Sequence, residues 1–538
     1  MERIQDYSLV QKGDKHQPEN YRPITLLLIL YKLFSRMVHA RIKTILEAAQ
    51  PVDQAGFRAG FSCTDHLFTI SQIAEKMNEL RMPLWVCAVD FKKAFDTVEH
   101  TAIWAALKEQ QVPARYVDLL RSLYAGQVGQ AITDKESRKF TISRGTKQGD
   151  PISPSLFSAV LQHALVGTVQ SWVGRNLGLC LGSSASDILT NLRFADDILL
   201  MAKSRNEVEV MLRDLKSAAA KVGLELHMGK TKILANKHAR DSVDTEEIIV
   251  AGENLDILGA DEVTMYLGRH LTLNRTHATE FDARLASAWR KFMMQKSELC
   301  TNRYPLRERL RLFEATVTRS ALYGCETWTM TASDKKRLRT TQRRMLRWMI
   351  GSRRKVVVRE TEGGEQEDCE RGSDSDDLCS EGPHSEPRSA RGAVEEGEVG
   401  EDGAGMEEVE DFATWTRRAT EMAESELSKA HLEDWVNQQR RQAWKWAGHV
   451  TRMTDNRWTV RALCWSPPGT RAVGRPRKRW TDDIEDFMYS KASGLDEKRL
   501  RFMWRHCGES KPGTDGKYCT NRWREWWAKL EDEFVANI

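Results

Sequence analysis

The length, composition and charge of the chain exclude several classes of protein. At 538 residues it has room for about three or four domains, and it is not a small peptide held together by disulfides. Its formal net charge is only +4, on 81 basic and 77 acidic residues, and such a balance is unusual for a dedicated polyanion binder. The ten cysteines include no Cys-x-x-Cys pair, which indicates reduced thiols inside a cell.

The sequence predicts neither a membrane span nor a secretory signal. Its most apolar run, residues 24–30, is far shorter than the roughly 20 residues that a transmembrane helix needs. We therefore expect an intracellular protein, in the nucleus or the cytoplasm, with no membrane partner.

In chain order, short apolar runs alternate with stretches of helical periodicity. Residues 84–89 predict a buried strand. Residues 192–201 are an apolar run interrupted by Asp196 and Asp197, which predicts two strands with the acidic residues at the turn. Helical periodicity is found at residues 94–110, 113–124, 153–172 and 208–222. This order predicts an α+β fold with helices on one face of a sheet.

Three regions of distinct composition follow. Residues 335–355 contain ten basic residues and no acidic one, on a predicted helix that either follows a phosphate backbone or is simply solvated. Residues 360–411 contain 20 acidic and three basic residues and no Lys, Phe, Trp or Tyr, which predicts disorder. The net charge of −17 in this segment leaves the rest of the chain near +21, so the near-neutral total hides basic regions. Residues 431–538 hold ten of the 17 tryptophans.

Two sets of carboxylates lie at the ends of predicted apolar strands. Asp90 follows one strand, and Asp196 and Asp197 lie between two others. Carboxylates at such positions are costly unless a cation or a partner charge meets them, and two Mg²⁺ ions would meet them with the oxygen ligands they prefer. An ordinary turn or capping role for each acidic residue stays open at this point.

Several sequence blocks resemble those of a known family. Residues 89–100 (VDFKKAFDTVEH), 145–154 (GTKQGDPISP) and 194–197 (FADD) resemble, in order, motifs A, B and C of reverse transcriptases, in the version of non-LTR (LINE-type) retrotransposons. Further blocks resemble the fingers motifs, motif D and the primer grip of that family: residues 20–24 (NYRPI), 54–58 (QAGFR), 223–232 and 266–268 (YLG).

The resemblance implies a two-metal polymerase site. Asp90 and Asp196 would bind Mg²⁺, with Mn²⁺ as an alternative ion, and Asp197 would add a second carboxylate. The backbone carbonyl of Phe91 would complete a coordination shell. Lys230 would donate a proton to the leaving pyrophosphate, with Lys232 and a purely structural lysine as alternatives.

Other positions would bind the nucleotide, template and primer. Arg58 would hold the triphosphate, and Phe95 would exclude a 2′-hydroxyl unless it is simply a core residue. Gln148 and Gly149 would approach the nascent base pair. Arg22 would contact the template, Tyr266, Leu267 and Gly268 the primer, and two basic groups nucleic acid more generally: Arg343, Arg344, Arg347, Arg475, Arg477 and Lys478.

The chain also departs from the family pattern. Phe61 occupies a position where related sequences commonly carry an arginine, and His227 one where an asparagine is usual. We expect activity to be chemically possible despite both changes, because neither touches the three acidic residues.

The expected architecture is a right-hand polymerase in four parts. These are fingers and a ferredoxin-like palm over residues 1–272, a helical thumb over 273–358, an acidic disordered linker over 359–430, and a basic, Trp-rich, nucleic-acid-binding region over 431–538. The expected reaction is addition of dNTPs to a DNA primer on an RNA template, with a separate endonuclease or a missing N-terminal module as partner. The alternatives are a catalytically inactive nucleic-acid-binding remnant and, against the implication of Phe95, an RNA-templated RNA polymerase.

Overall fold

The computed structural model describes residues 4–10, 21–132, 139–240, 247–250, 252–259, 262–274, 276–352, 354–359, 406–469, 471, 474, 477–491 and 527–536. The chain divides into two compact units. Unit 1 comprises residues 1–280 and 445–529, and unit 2 comprises residues 281–444 and 530–538. Helices and strands occur in both units, so the chain is a mixed α and β protein.

The larger sheet of unit 1 has six strands, in the order β11-β12-β10-β3-β9-β8, and a second sheet has the order β2-β1-β4-β5. The strands are β1 (Ile4–Val10), β2 (Tyr21–Leu26), β3 (Trp85–Val89), β4 (Val128–Ile132), β5 (Phe140–Thr141), β6 (Leu179–Cys180), β7 (Ile188–Leu189), β8 (Asn191–Phe194), β9 (Asp197–Ala202), β10 (Lys232–Ala235), β11 (Glu247–Val250), β12 (Glu253–Leu258), β13 (Thr264–Tyr266), β14 (Arg269–Leu271), β15 (Val356–Arg359) and β16 (Met406–Val409). In the larger sheet, β3 is antiparallel to both β9 and β10.

The helices are α1 (Ile29–Ala48), α2 (Cys63–Glu79), α3 (Ala94–Thr97), α4 (His100–Glu109), α5 (Ala114–Tyr124), α6 (Ser153–Gly174), α7 (Arg205–Ala220), α8 (Lys237–Arg240), α9 (Thr276–Met294), α10 (Lys296–Leu299), α11 (Leu306–Phe313), α12 (Arg319–Ala321), α13 (Ala332–Ile350), α14 (Phe412–Lys429), α15 (Trp435–Val450), α16 (Trp458–Cys464), α17 (Asp482–Lys491) and α18 (Glu531–Ala536). None of the helices in the described part of the chain combines the length and the apolar character needed to cross a membrane.

Strand β3 is apolar on both faces, and this decides how the sheet is covered. Trp85, Cys87 and Val89 belong to one buried cluster, whereas Leu84 and Val86 belong to another. Alternate residues of a strand face opposite sides of the sheet, so both faces need cover. Helices α4 to α7 contribute to the first cluster, and α2 and α16 contribute to the second. The prediction of helices on one face only is therefore wrong.

Unit 2 is built on an apolar core that extends into the region predicted to be disordered. Phe313 and Trp435 stack in this core with their ring centroids 5.8 Å apart. Helix α14 contributes Ala423 and Leu427 to the same core. The predicted disordered linker, residues 359–430, is therefore wrong for its last part.

The helical start of α14 has a local cause. Asp411 caps the helix, since its carboxylate accepts hydrogen bonds from the backbone N–H groups of Ala413 and Thr414, both at 2.9 Å. Upstream, β15 and β16 pair antiparallel, with Val356 opposite Val409. Residues 360–405, which hold most of the predicted acidic linker, lie outside the described residues.

The tryptophans that the structure describes within the predicted C-terminal region, residues 431–538, are core residues of two different units. In unit 1, the ring centroid of Phe68 lies 5.8 Å from that of Trp446 and 4.7 Å from that of Trp480. In unit 2, Trp444 stacks on Phe534 with 4.7 Å between the ring centroids. Because residues 445–529 belong to unit 1 and the remainder to unit 2, this region is not a single separate domain.

Candidate active site

The acidic residues lie at one edge of the six-stranded sheet. Strands β8 and β9 form a hairpin in which Phe194 pairs with Asp197, so Ala195 and Asp196 make a two-residue turn. Strands β3 and β9 are antiparallel, with Val89 opposite Ile198. In an antiparallel pair, the residue after one partner lies opposite the residue before the other. Asp90 follows Val89 and Asp197 precedes Ile198, so Asp90 lies beside Asp197 at the start of β9.

The three carboxylates are accessible to a ligand. The side chain of Asp90 is 35% exposed, Asp196 is half-buried and Asp197 is exposed. Mg²⁺ typically takes one or two carboxylates and completes its coordination shell with water and substrate phosphates. Among the residues that the structure describes, no group of three or more His, Cys, Asp or Glu side chains is arranged to hold a metal ion alone. Asp90, Asp196 and Asp197 are thus accessible, and the described residues do not surround them with a complete set of metal ligands.

The segment between α7 and β10 packs against the end of β3. The backbone N–H of His227 donates to the carbonyl of Asp90 at 2.7 Å, and buried Phe91 forms a bridge with Leu226. This pairing brings Lys230 to the acidic edge, where its Nζ lies 3.6 Å from Oδ2 of Asp90. The expectation that His227 does not touch the three acidic residues is therefore wrong, because its backbone N–H bonds to Asp90.

The turn that carries Asp196 is held by the segment 53–56. Ala195 has a positive φ of 57°, which is uncommon for a residue other than glycine. Its backbone N–H donates to Oε1 of Gln54 at 3.0 Å, and the same oxygen accepts from the N–H of Gly56 at 2.8 Å. A Cβ atom at Gly56 would collide with the backbone of Ala195. Only glycine permits this close approach.

Phe95 lies in a short row of aromatic rings. Its ring stacks on that of buried Phe157, with 4.4 Å between centroids, and meets the edge of Phe57 at 6.3 Å. The side chain of Phe95 remains half-buried, whereas Phe57 is exposed. Packing fixes the ring of Phe95 while part of it stays accessible.

The loop before α6 is attached to the segment that carries Phe95. Nε2 of Gln148 donates to Oδ1 of Asp96 at 2.9 Å, and the backbone N–H of Thr146 donates to the carbonyl of Phe95 at 2.6 Å. Gly145 has a φ of 87°, and a Cβ there would lie 2.6 Å from the carbonyl oxygen of Asp96. Gly149 also has a left-handed φ, of 101°.

Arg58 is held in place by its own loop. Its Nη1 donates to the backbone carbonyls of Pro51 at 2.6 Å and Gln54 at 3.0 Å. Its guanidinium carbon lies 4.4 Å from the ring centroid of Phe61. Partial burial lowers the pKa of Arg58, which still leaves the group positively charged at neutral pH.

Tyr266, Leu267 and Gly268 form the tip of the β13–β14 hairpin. Leu267 and Gly268 both have positive φ, at 48° and 73°, as a tight two-residue hairpin turn requires. The hydroxyl of buried Tyr266 lies 3.2 Å from Nδ1 of His66. Burial and the charge of Asp197 raise the pKa of Tyr266 well above its usual value.

The structure places the other predicted nucleic-acid-binding residues in varied surroundings. In unit 2, Arg343 pairs with Glu424, Arg344 lies over the ring of Trp289, and Arg347 donates to Thr420. In unit 1, Lys478 lies 2.5 Å from a carboxylate oxygen of Asp483, and Arg477 is exposed. Arg22 lies on β2, opposite Leu9. Arg475 lies outside the described residues.

Sequence reasoning missed several residues that hold the site together. Buried Asp150 accepts hydrogen bonds from Tyr31, at 3.0 Å, and from Ser35. Buried Arg193 lies 3.5 Å from a carboxylate oxygen of Asp53. Arg193 was detectable as a charged residue inside an apolar strand, because a buried charge requires a partner.

Comparisons with known proteins identify relatives of part of this chain. Residues 10–271 match the family described as reverse transcriptase (RNA-dependent DNA polymerase). The polyprotein of the type-2 retrotransposable element R2DM of Drosophila melanogaster is 25% identical over 48% of this chain and 24% of its own length. A type-1 R2 polyprotein of Popillia japonica is 28% identical, over 62% of this chain and 46% of its own length. A putative transposon-derived protein of Caenorhabditis elegans is 29% identical, over 55% and 84%.

The coverage of these relatives is unequal, since the chain spans only about a quarter of the Drosophila polyprotein. Among solved structures, telomerase from Candida tropicalis superposes with a TM-score of 0.37 and 12% identity, over 64% of this chain and 60% of the telomerase. Residues 10–271 are therefore a reverse transcriptase domain, and the chain is similar to polyproteins of R2 retrotransposable elements.

Proposed function

We propose that the chain is an RNA-directed DNA polymerase that adds dNTPs to the 3′-hydroxyl of a DNA primer on an RNA template. The observation that carries this proposal is the antiparallel register of β3 and β9, which brings Asp90 next to the hairpin of Asp196 and Asp197. The family match over residues 10–271 gives independent support.

In this proposal Asp90, Asp196 and Asp197 hold two Mg²⁺ ions, or Mn²⁺ in their place, together with the backbone carbonyl of Phe91. Mg²⁺ held by these residues would supply charge stabilisation for the attacking hydroxyl and the leaving pyrophosphate. Lys230, whose Nζ lies 3.6 Å from Asp90, donates the proton that the pyrophosphate takes up.

The remaining residues bind and orient the substrates. Nη1 of Arg58 is occupied by two backbone carbonyls, so the guanidinium is preoriented and would bind the triphosphate through its other donors. Phe95 excludes a 2′-hydroxyl, and Gln148 with Gly149 lines the base pair. Arg22 contacts the template, and the hairpin tip at residues 266–268 contacts the primer.

The finer architecture follows from these roles. The six-stranded sheet would be the palm, the segments before β3 the fingers and the helices of unit 2 the thumb. Strand cleavage is not part of the proposed activity, so a separate endonuclease or N-terminal module would supply the primer end. Because RNA templates and dNTPs occur in the nucleus and the cytoplasm, we propose that the protein acts there.

A primer-extension assay tests the proposal. Purified chain, a DNA primer annealed to an RNA template, dNTPs and Mg²⁺ should give extended products. Replacing Asp196→Ala and Asp197→Ala together should abolish them, with a loss of more than about 100-fold, because metal ligands matter more than the residues that merely orient them. Asp118→Asn, which changes an exposed carboxylate on α5, is the matched control and should extend as wild type does.

The alternative is a nucleic-acid-binding remnant without polymerase activity. The arginines of α13, which contact other residues of unit 2, are compatible with both functions. Such a protein would bind the primed template with steep salt dependence and would not extend it. Absence of extension by wild type, or equal extension by the double variant, would overturn the proposed polymerase.

A further inference from the structure

Helix α16, in the C-terminal half of unit 1, is fixed at both ends to α2. At its end, Nζ of Lys76 donates to the carbonyls of Ala462, Leu463 and Trp465 at 2.6 to 2.7 Å, which satisfies acceptors that a helix terminus leaves open. At its start, Oγ1 of Thr459 donates to Oδ1 of Asp65 at 3.0 Å. The first residues of α16 are therefore held in a defined position on the first half of the unit.

Trp458 completes a buried ion pair. Its indole Nε1 donates to Oδ1 of Asp53 at 2.6 Å, and Oδ2 of Asp53 lies 3.5 Å from Nη2 of Arg193. Relative exposures are 4% for Trp458, 8% for Asp53 and 1% for Arg193. A buried ion pair is stable only when its remaining hydrogen-bonding capacity is used, and the indole N–H uses one such position.

This ion pair lies within a few atoms of the acidic turn. The backbone N–H of Arg193 donates to the carbonyl of Asp53 at 2.8 Å, and the N–H of Ala55 donates to the carbonyl of Arg193 at 2.9 Å. Gln54, between Asp53 and Ala55, accepts from the N–H of Ala195. Asp53 is therefore linked, through its neighbour Gln54, to Ala195, the residue directly before Asp196.

Arg457 reaches a second part of the site. Its guanidinium carbon lies 3.9 Å from the ring centroid of Phe61, and that of Arg58 lies 4.4 Å from the same centroid. Nη1 of Arg457 also donates to the carbonyl of Gly60 at 2.8 Å and to Oδ1 of Asp65 at 3.1 Å. Phe61, the departure from the family pattern, is thus a platform that two arginines share.

We propose that residues 457–459 form a positioning element of the polymerase site, in which Trp458 fixes the turn that carries Asp196 and Arg457 fixes Arg58 through Phe61. The inference rests on the proposed function for its kinetic meaning. It assigns to the C-terminal region a part in the polymerase site, whereas composition suggested only nucleic-acid binding there.

The two contacts predict different kinetic defects. Trp458→Phe removes the indole N–H and keeps most of the apolar surface, so the acidic turn loosens while the nucleotide pocket stays intact. A displacement of this kind should lower kcat about 10- to 100-fold with little change in KM for dNTP. Arg457→Lys keeps the charge but loses the planar guanidinium over Phe61, so KM for dNTP should rise about tenfold with kcat nearly unchanged.

Trp465→Phe is the matched control, since it makes the same substitution in a nearly buried tryptophan at the other end of α16. It should stay within about twofold of wild type in both constants. A purely structural role for the start of α16 would instead lower the amount of active enzyme. All variants would then show the wild-type KM, and Trp458→Phe would match the control; that result overturns the proposal.

A second measurement does not depend on activity. Hydrogen exchange of peptides that cover residues 191–198 should be at least about fivefold faster in Trp458→Phe than in Trp465→Phe, because the N–H of Ala195 loses a fixed acceptor. Equal exchange in both variants contradicts the positioning role. If wild type does not extend primers, the proposed function fails while the exchange experiment still decides this inference.

Discussion

The acidic edge of the six-stranded sheet and the start of α16 belong to the same unit, but the sequence encodes them in different ways. At the acidic edge, each strand is a short apolar run and each carboxylate is next to it in sequence. At the start of α16, Arg457 and Trp458 contact partners 392 and 405 positions away, Asp65 and Asp53. Local patterns therefore predict the first region, and only the folded chain reveals the second.

This difference separates chemistry from positioning. Residues that would bind metal or nucleotide are confined to short motifs because strand and turn geometry alone bring them close. Residues that hold those motifs in place lie on segments that are distant in sequence and pack against the motifs in the folded chain. We expect substitutions in the first group to change what the site does, and substitutions in the second to change how well it is held.

The largest expected effect is that of replacing Phe95, which tests whether this residue contacts the nucleotide sugar. Phe95→Val should raise the use of rNTPs relative to dNTPs about 100-fold, because the smaller side chain leaves space for a 2′-hydroxyl. Single-nucleotide extension with each sugar measures the ratio. Phe157→Leu shortens the buried ring beneath Phe95 and is the control: it should lower thermal stability with much less change in sugar selectivity. Equal effects of both variants on selectivity would make Phe95 a core residue only.

The second prediction concerns Gly56, a positioning residue that packs directly against the turn before Asp196. Gly56→Ala should lower kcat by up to about 100-fold, because the new methyl group displaces the turn at Ala195. Gly167→Ala, at a helical position where a Cβ meets no atom within 4 Å, should retain activity. Steady-state extension kinetics on folded protein distinguish the two variants. Normal kcat in Gly56→Ala would mean that the turn tolerates movement.

The parts of the site that the sequence predicted share a physical reason. Strand β3 and the β8–β9 hairpin are short apolar runs bounded by charged residues, so alternation and length identify them without tertiary information. Antiparallel pairing then places Asp90 near Asp197. Local patterns do not predict which helices cover the second face of the sheet. Helices α2 and α16 pack there, and nothing in the sequence around Trp458 indicates that α16 contacts the sheet.

Composition misled in the acidic segment for a related reason. The charge count applies to residues 360–411, and extending the predicted linker from there to residue 430 overlooked the stripe of Ala419, Ala423 and Leu427, whose spacing of four is typical of a helix packed on one face. The many charged residues of α14 lie around that stripe. A periodicity test within the segment finds the helix, whereas a count of charged residues does not.

A smaller effect concerns the acidic residues that lie outside both groups. Replacing residues 360–405 by a neutral Gly-Ser linker of equal length removes 13 net negative charges. Affinity for single-stranded RNA should rise about tenfold at low salt and converge with wild type at high salt, because the basic surface is no longer opposed. Fluorescence anisotropy across a salt series measures this. Unchanged affinity would indicate that these charges are remote from bound RNA.

The smallest expected effect tests a long-range contact behind the acidic edge. Burial lowers the pKa of His66 from 6.5 to about 4, so this imidazole is neutral in the folded state where it faces Tyr266. Between these two values the unfolded chain binds more protons than the folded chain, so folding stability falls as the pH is lowered. The loss from His66 should be about 1 kcal/mol between pH 6.5 and pH 5.5. Urea denaturation at both pH values measures it, and His66→Asn should remove that part of the difference while keeping a polar group near the Tyr266 hydroxyl. An unchanged pH dependence in the variant would mean that His66 is protonated in the folded protein, and that the contact with Tyr266 is made by an imidazolium.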